Sequence, residues 1–350
     1  MFAKLIFPDA IHPDDLDSYL YDGWFRMGQT IFTTNFLKFS GTIYSAIWLR
    51  INLLTFEKSR TQQKLYKLNA DFRVEVQPIH LTSAHEDLFQ KYRSHIAFDA
   101  SPNLENLLFN NGINDIYNTY EVNVYDHHKL IATGFFDLGS TSSAGITCFY
   151  DPDYRKHSLG KFLMYQKMEF CQKLGHTYFY PGYFAPGYRL FDYKLDLAKP
   201  SLEYLDVCTD TWLPFSQYDP NINPLVIMTD KLNQLSVYLK EIGFEHTFFQ
   251  YEYFDADLMT SLNALNLFDF PVFIYCFEVD DTNTSPMIVY DVRDNQFHLM
   301  LCSSVFRTHS DYNIDDHYST NLLKTIKHLY STESIRMMAD VISMSLIKTV

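Results

Sequence analysis

The residues with the most chemical potential in this chain fall between Cys148 and Asp206. Arg155-x-x-Ser158-x-Gly160 precedes a run in which apolar residues recur three and four apart (Leu159, Phe162, Leu163, Met168, Cys171, Leu174). That spacing predicts a helix, with Ser158, Leu159 and Gly160 at its start. The first N–H groups of a helix lack partners and carry the positive end of its dipole, so an anionic or acyl-oxygen ligand is favoured there. Farther along stand Gly182-Tyr183 and Tyr193-Lys194. Together these residues have the layout of an acyl-transfer site. The same periodicity also fits an ordinary β-α-β packing unit with a capped helix.

The elements that must position them are legible on both sides. Ile146 to Tyr150 is β-rich and is stopped by Asp151-Pro152, because proline removes a ladder donor and Asp-Pro favours a turn. Gly175 stands where a helix C-cap wants positive φ, and Thr177 to Tyr180 reads as a strand broken by Pro181-Gly182. Upstream, Tyr120 to Tyr125 and Leu130 to Phe136 alternate around Asp126-His-His-Lys129, a hairpin in which the two histidines are turn residues. Phe72 to Ile79 alternates as a strand and Ser83 to Phe98 reads as a helix; Pro102 to Gly112 reads as a linker or a segment flanking the active site. Residues 57–69 make a basic helix capped by Ser59, with Lys64 and Lys67 three apart on one face.

Beyond Asp206, Pro224 to Met228 reads as a strand, Asp230 to Ile242 as a helix ended by Gly243, and Phe248 to Phe254 as an aromatic strand. Three more strands are expected over Phe270–Val279, Met287–Val292 and Phe297–Phe306, then a closing amphipathic helix over Thr320–Thr349. Asp280, Asp281 and Asn283 lack the glycine and glutamate of a calcium loop and read as a turn.

Composition bounds the rest. In 350 residues, 47% hydrophobic, there is ample material for buried cores. No run of 18 apolar residues exists and the first residues lack a long apolar signal segment, so a cytoplasmic protein without membrane contact is expected. The five cysteines are far apart and odd in number, which favours buried free thiols. The net charge of −14 disfavours a nucleic-acid partner until it is mapped: residues 195–320 hold 20 acidic and five basic residues. In contrast, Arg50 to Arg73 has six basic residues against two acidic, and Arg155 to Lys194 has seven against two. Two basic patches are left, which solvated helix faces would also explain.

The run Phe149-Tyr-Asp-Pro-Asp, then Ser158-Leu-Gly160, Tyr178, Gly182-Tyr183 and Tyr193-Lys194, resembles the C-terminal domain of the arginyl-/leucyl-tRNA–protein transferases. Trp48-Leu-Arg50, Ser59-Arg60-x-Gln62-x-x-Leu65 with Asn69-Ala-Asp71, and His128 to Ala132 are further similar blocks, in the family's order. The resemblance implies an aminoacyltransferase that moves arginine or leucine from charged tRNA to the α-amine of proteins beginning with Asp or Glu. No cofactor is required, since the ester is already activated and positioning plus an oxyanion donor supply the acceleration. In this reading Tyr183 and Tyr193 donate to the oxyanion or relay a proton. Lys194, with Arg189 as a second option, faces the acceptor's carboxylate or a tRNA phosphate. Arg155, Ser158, Leu159, Gly160 and Gly182 hold the acyl group and tRNA 3′ end, while Arg50, Lys58, Arg60, Lys64 and Lys67 follow the tRNA backbone. Family members carry a paired-cysteine motif near the N-terminus, but residues 20–50 contain no cysteine, so no metal or iron–sulfur cluster is expected. Phe32, Phe36, Phe39, Tyr44 and Trp48 are expected to fill that volume by packing.

The expected fold is α+β: a GNAT-like acyltransferase core with a mixed sheet flanked by helices, an N-terminal β-rich basic module and a C-terminal α+β extension. The expected divisions are 1–80, 81–257 and 258–350. Serine in place of the first glycine of the GNAT pyrophosphate loop weakens an acetyl-CoA reading, because it adds a side chain where close backbone approach is wanted. An acetyl-CoA-dependent N-acetyltransferase, a peptidoglycan-type aminoacyl transferase and a catalytically inactive tRNA- or peptide-binding relative stay open as alternatives.

Overall fold

The computed structural model describes residues 1–96, 100–110, 115–263, 265–279, 283–305, 317–318 and 321–347. Asp280 and Asp281 of the proposed polar turn lie outside these. The chain opens with β1 (Ala3–Ile6), α1 (Pro13–Tyr21), β2 (Phe25–Met27), β3 (Thr30–Thr34), β4 (Phe36–Phe39) and β5 (Thr42–Ser45). The first three strands form a sheet in the order β1-β3-β2 and the last two a separate hairpin. Aromatic packing fills this module: Trp48 stacks on Phe25 at 3.8 Å between centroids and meets Phe32 edge-on at 5.9 Å.

The core follows as β6 (Ile47–Asn52), α2 (Arg60–Leu68), β7 (Arg73–Pro78), α3 (Ser83–Arg93), α4 (Leu104–Phe109), β8 (Thr119–Asp126), β9 (Lys129–Leu138), β10 (Ser142–Tyr150), α5 (Leu159–Lys173), β11 (Tyr178–Phe184), β12 (Leu202–Asp206) and β13 (Thr211–Pro214). Its eight strands run β13-β12-β6-β11-β10-β9-β8-β7. β7 to β10 form an antiparallel meander, and α5 carries the chain over to β11, which pairs with β10 in parallel. The strand, strand, strand, turn, helix, strand order expected from sequence is therefore the order found. Because side chains alternate across a strand, Phe136 packs with α5 on one face while Phe135 and Phe149 pack with α3 on the other. The hairpin at His127-His128 forms as expected, with His127 at φ 52°. The expected linker instead contains α4, capped by the Asn103 side chain on the Asn106 N–H at 2.7 Å.

The last part is α6 (Pro224–Glu241), β14 (Thr247–Tyr251), β15 (Val272–Tyr275), β16 (Thr284–Asp291), β17 (Gln296–Ser304), β18 (His317–Tyr318), β19 (Leu323–Thr332) and α7 (Ile335–Ile347). Its sheet runs β18-β14-β15-β16-β17-β19, with α6 and α7 against it and Phe2 and Phe36 in the same core. Two expectations are corrected. Pro224 to Met228 begins α6 instead of a strand, since proline is well tolerated in a first helical turn and the Asn223 side chain caps Val226 N–H. The closing helix over 320–349 is a strand followed by a shorter helix, because Leu323 to Thr332 pairs with β17. β6 lies inside the core sheet, and α6 with β14 packs in the C-terminal one.

Candidate active site

β10 and β11 pair only from Ser142 to Ala144, opposite Tyr178 to Tyr180. Past that point β10 bulges between Gly145 and Thr147, β11 changes register between Phe179 and Gly182, and the two strands separate. β11 thus continues through Pro181, contrary to the expected break, because the residue without an N–H falls where the ladder is already interrupted. The split opens toward the start of α5. Two buried lysines occupy its irregular backbone.

Lys167 of α5 is 0% exposed and donates to the Phe135 and Thr147 carbonyls at 2.7 and 2.9 Å, so it satisfies oxygens freed at the β10 bulge. Burial lowers its ammonium below the usual lysine range. Lys194 is 8% exposed and donates to the Tyr183 carbonyl at 2.6 Å. Its Nζ lies 5.2 Å from the Tyr183 ring and 4.9 Å from Phe191. Among the described residues no carboxylate lies within ion-pair distance of it. Burial, with nothing to offset it, brings its pKa down to about 7. Gly182 at φ 87° leaves room for this amine, since a Cβ there would stand 3.2 Å from Nζ.

Tyr193 precedes Lys194 on the same 3-10 segment. It is 45% exposed by area, yet protein crowded round the phenol, with Cys148 and Tyr92 among its neighbours, pushes that group above the usual tyrosine range. Exposed area decides what can reach the ring; crowding decides its proton affinity. Tyr92 packs on Tyr150 at 5.7 Å, and a Cβ on Gly160 would lie 3.6 Å from the Tyr150 ring. Cys148 Sγ touches Met164 Sδ at 3.7 Å. A connected wall of Tyr193, Tyr92, Tyr150, Cys148 and Met164 therefore joins the Lys194 side of the split to the first turn of α5.

At that first turn Ser158 is the N-cap in a left-handed conformation (φ 49°, ψ 44°), and its side chain caps nothing. A non-glycine residue held there costs about 1–3 kcal/mol, a strain typical of ligand-binding loops. Phe162 N–H reaches the Ser158 carbonyl at 3.1 Å, while among the described residues no backbone carbonyl outside the helix takes up the N–H groups of Leu159, Gly160 and Lys161. Leu159 itself is 0% exposed and anchors the turn in the core. The loop before it is tied down by Asp151. Burial alone would raise this carboxyl, but bonds from Lys129 at 2.7 Å and Lys91 at 2.6 Å outweigh it and hold the group at about 2.

The N-terminal module braces the opposite rim. Phe39 of β4 stacks on Tyr188 at 4.3 Å and meets Phe191 at 5.9 Å, on the 3-10 segment Arg189–Asp196 that carries Tyr193 and Lys194. Tyr183 packs edge-on to Trp48 at 5.0 Å and Phe191 at 5.2 Å. Burial raises its phenol, and its ring fills a wall of the site.

The basic residues divide. Arg60, Lys64 and Lys67 share the outward face of α2, which is capped as expected by Ser59 on the Gln62 N–H at 3.1 Å. Tyr66 donates to Glu169 at 2.7 Å and Asn69 to the His157 carbonyl at 3.1 Å, so α2 runs antiparallel to α5 and ends beside its start. Arg155 and Arg189 are exposed. Lys58 is half-exposed and pairs with Glu169 at 3.0 Å. Arg50 is withdrawn: it is 6% exposed, bonds Glu203 at 2.6 Å and lies between the rings of Tyr178 and Trp212 at 3.9 and 4.6 Å. It stands in an inner strand and cannot reach a phosphate there. Lys167 and Lys194 are likewise lost to the expected basic patch.

Tyr92, Cys148, Tyr150 and Met164 were not singled out from sequence. The shared face of Cys148 and Tyr150 follows from strand periodicity, but Tyr92 comes from a separate helix and only the fold brings it there.

Residues 84–203 match the family model described as arginine-tRNA-protein transferase, C terminus. An aspartate/glutamate leucyltransferase of Leptospira interrogans is 28% identical over 193 residues, 54% of this chain and 74% of its own. Its namesake in Acinetobacter baylyi is 24% identical over 198 residues, 55% of this chain and 72% of the relative. Among solved structures, FemX aligns with a TM-score of 0.32 at 12% identity over 54% of this chain and 65% of its own. The C-terminal domain of a lysylphosphatidylglycerol synthetase from Agrobacterium fabrum aligns with 0.31 at 13%, over 40% and 47% of the two chains. Residues 84–203, about a third of the chain, are thus similar to the C-terminal part of the arginine-tRNA–protein transferases.

Proposed function

We propose that this chain transfers leucine from charged tRNA to the N-terminal α-amine of proteins that begin with Asp or Glu, as a cytoplasmic enzyme. One observation carries the reading: the open first turn of α5, Tyr193 and the low-pKa amine of Lys194 border one groove. The wall of that groove is made of phenols, a thiol and a thioether. Leucine fits such a wall, whereas the guanidinium of a donated arginine needs a carboxylate that these residues do not offer. The relatives named aspartate/glutamate leucyltransferase agree with that choice.

In the proposed reaction the acceptor amine, freed of its extra proton by Lys194, attacks the ester carbonyl of the leucyl-adenosine. A C–N bond forms and the carbonyl becomes an oxyanion, stabilised by the N–H groups of Gly160 and Lys161 and by the Tyr193 hydroxyl. The C–O bond to ribose then breaks; the ribose oxygen takes up a proton and the amine loses one. Arg155 and the left-handed turn at Ser158 hold the terminal phosphate. Arg189, exposed beside Tyr193, meets the acceptor's acidic side chain. Arg60, Lys64 and Lys67 form a track along α2 toward the same turn for the acceptor stem. A buried amine with a pKa near neutrality is better matched to proton transfer than to a permanent ion pair, so Lys194 is assigned the base role.

The test is incubation of purified protein with labelled Leu-tRNA or Arg-tRNA and peptides that begin with Asp, Glu or Ala. Label from leucine on the Asp and Glu peptides alone is expected. Transfer from Arg-tRNA only, or saturable acetyl-CoA binding without tRNA affinity, overturns the reading.

A further inference from the structure

The loop between β10 and α5 carries more than the Ser158 turn. Its 3-10 segment, Pro152–His157, presents two rings, Tyr154 and His157, and Phe72, just before β7, packs against both. Ring centroids are 4.9 Å apart for Phe72 and His157, 5.9 Å for Phe72 and Tyr154, and 6.0 Å for Tyr154 and His157. All three side chains are half-buried, so each keeps ring area for a ligand.

His157 is held by Asn69, a residue that is itself 2% exposed and caps the end of α2. The Asn69 amide donates to the Leu65 and His157 carbonyls at 3.0 and 3.1 Å, and its oxygen lies 3.1 Å from His157 Nδ1. An amide oxygen only accepts, so Nδ1 carries the proton of the neutral ring. Nε2, which has no hydrogen-bond partner among the described residues, is left as an acceptor. Tyr154 is fixed as well, its hydroxyl donating to Asp126 at 2.7 Å. Rings locked in this way have lost their rotamer freedom before a ligand arrives, which is the preorganisation that a binding surface needs and a solvated turn does not.

Charge around the rings favours phosphate. Arg155 and Lys156 are exposed on the same segment, and Lys129 Nζ lies 5.4 Å from the Tyr154 ring. Asp126 is taken by Tyr154, Asp151 by Lys91 and Lys129, and Asp153 by Lys91; Asp71, exposed next to Phe72, is the acidic group that a phosphate has to avoid.

We propose that Phe72, Tyr154 and His157 form a stacking platform for the unpaired bases at the 3′ end of the donor tRNA, with Lys156 beside the phosphates that precede the one on Arg155. His157 Nε2 accepts from a hydroxyl or amino group of the stacked nucleotide. Every base offers a π-face, so aromatic rings beside cations hold single strands with little regard to sequence, whereas the bases of a duplex are already stacked on one another. The occupant follows from the transfer reaction proposed above, which brings a tRNA 3′ end to the adjoining Ser158 turn. The outward cations of α2 lead to Asn69, so the helix that would follow the paired stem ends where the platform begins.

Binding of uncharged leucine tRNA to the full-length protein is measured beside the same tRNA shortened by its unpaired 3′ nucleotides. The parent protein should bind the shortened form at least about tenfold more weakly. His157→Ala should weaken the intact tRNA about tenfold and leave the shortened one unchanged, while His157→Phe, which keeps a ring, stays within about threefold of the parent. Equal weakening of both tRNAs by His157→Ala marks a merely structural effect and overturns the platform. Intact-tRNA affinity that neither His157→Ala nor Tyr154→Leu alters overturns the platform while leaving the transfer reaction standing. A parent protein that binds neither tRNA overturns both.

Discussion

Lys194 concentrates the chemical argument in one atom. Its ammonium lies among Tyr183, Phe191 and the backbone at Gly182, and burial alone sets its pKa at about 7. A lysine whose folded pKa lies below its unfolded value binds fewer protons folded than unfolded between pH 7 and 10. Its destabilising effect is therefore greatest below pH 7 and fades as pH rises toward the unfolded value. Two outcomes follow. Single-turnover transfer should rise with pH through an apparent pKa near 7, and Lys194→Arg, which stays charged, should lose that limb and about 10²–10³ in rate. Lys194→Met should lose rate similarly but keep or raise thermal stability at pH 6, measured by calorimetry. A rate profile flat from pH 6 to 8 in the unaltered protein would remove the base role. Charge counts from sequence place this lysine in a basic surface patch; that it is instead a solitary buried amine depends on Gly182 and Phe191 closing over it, which no local pattern encodes.

At the scale of elements, what matters is how the turn between β10 and α5 is held. Asp151 is 1% exposed, caps the following 3-10 segment on the Asp153 N–H at 3.1 Å, and receives Lys129 and Lys91. A carboxyl depressed to about 2 contributes stability that is complete above pH 4 and is lost as pH falls through its folded value. The shift corresponds to about 2 kcal/mol. Unfolding free energies of Asp151→Asn and the parent chain, from urea titration, should differ by about that amount at pH 6 and converge near pH 2. Equal values at pH 6 would mean that the three bonds only offset the cost of burial. The Asp-Pro turn, the α5 span and the His127-His128 hairpin were legible in the sequence because each depends on neighbours within a few residues. The continuation of β11 through Pro181, the strand at Leu323 to Thr332 and the helix at Pro224 were not, because pairing and packing partners decide them.

Across the whole molecule, acidity and basicity are segregated, and the fold turns that segregation into direction. Residues 195–320 hold 20 acidic and five basic residues, and their described part includes β12 and β13 of the core sheet, α6 and five strands of the C-terminal sheet, whereas Arg60, Lys64 and Lys67 line α2 and lead to the α5 turn. On the proposed function, a tRNA drawn to α2 would be repelled by the acidic residues, so the net charge of −14 would orient it as well as oppose its affinity. Each phosphate neutralised contributes about 0.7–0.9 to the slope of log K against log salt. Replacing Arg60, Lys64 and Lys67 together by glutamine should therefore lower the salt slope of tRNA binding by about 2–3, measured by filter binding between 50 and 200 mM salt, and should leave the transfer rate of saturated enzyme nearly unchanged. Arg50→Met tests the contrast: its guanidinium serves Glu203, Tyr178 and Trp212, so stability should fall by about 1–3 kcal/mol while the slope stays as it was. A slope that drops for Arg50→Met and not for the triple variant would place the tRNA across the β12–β13 edge of the sheet instead of along α2.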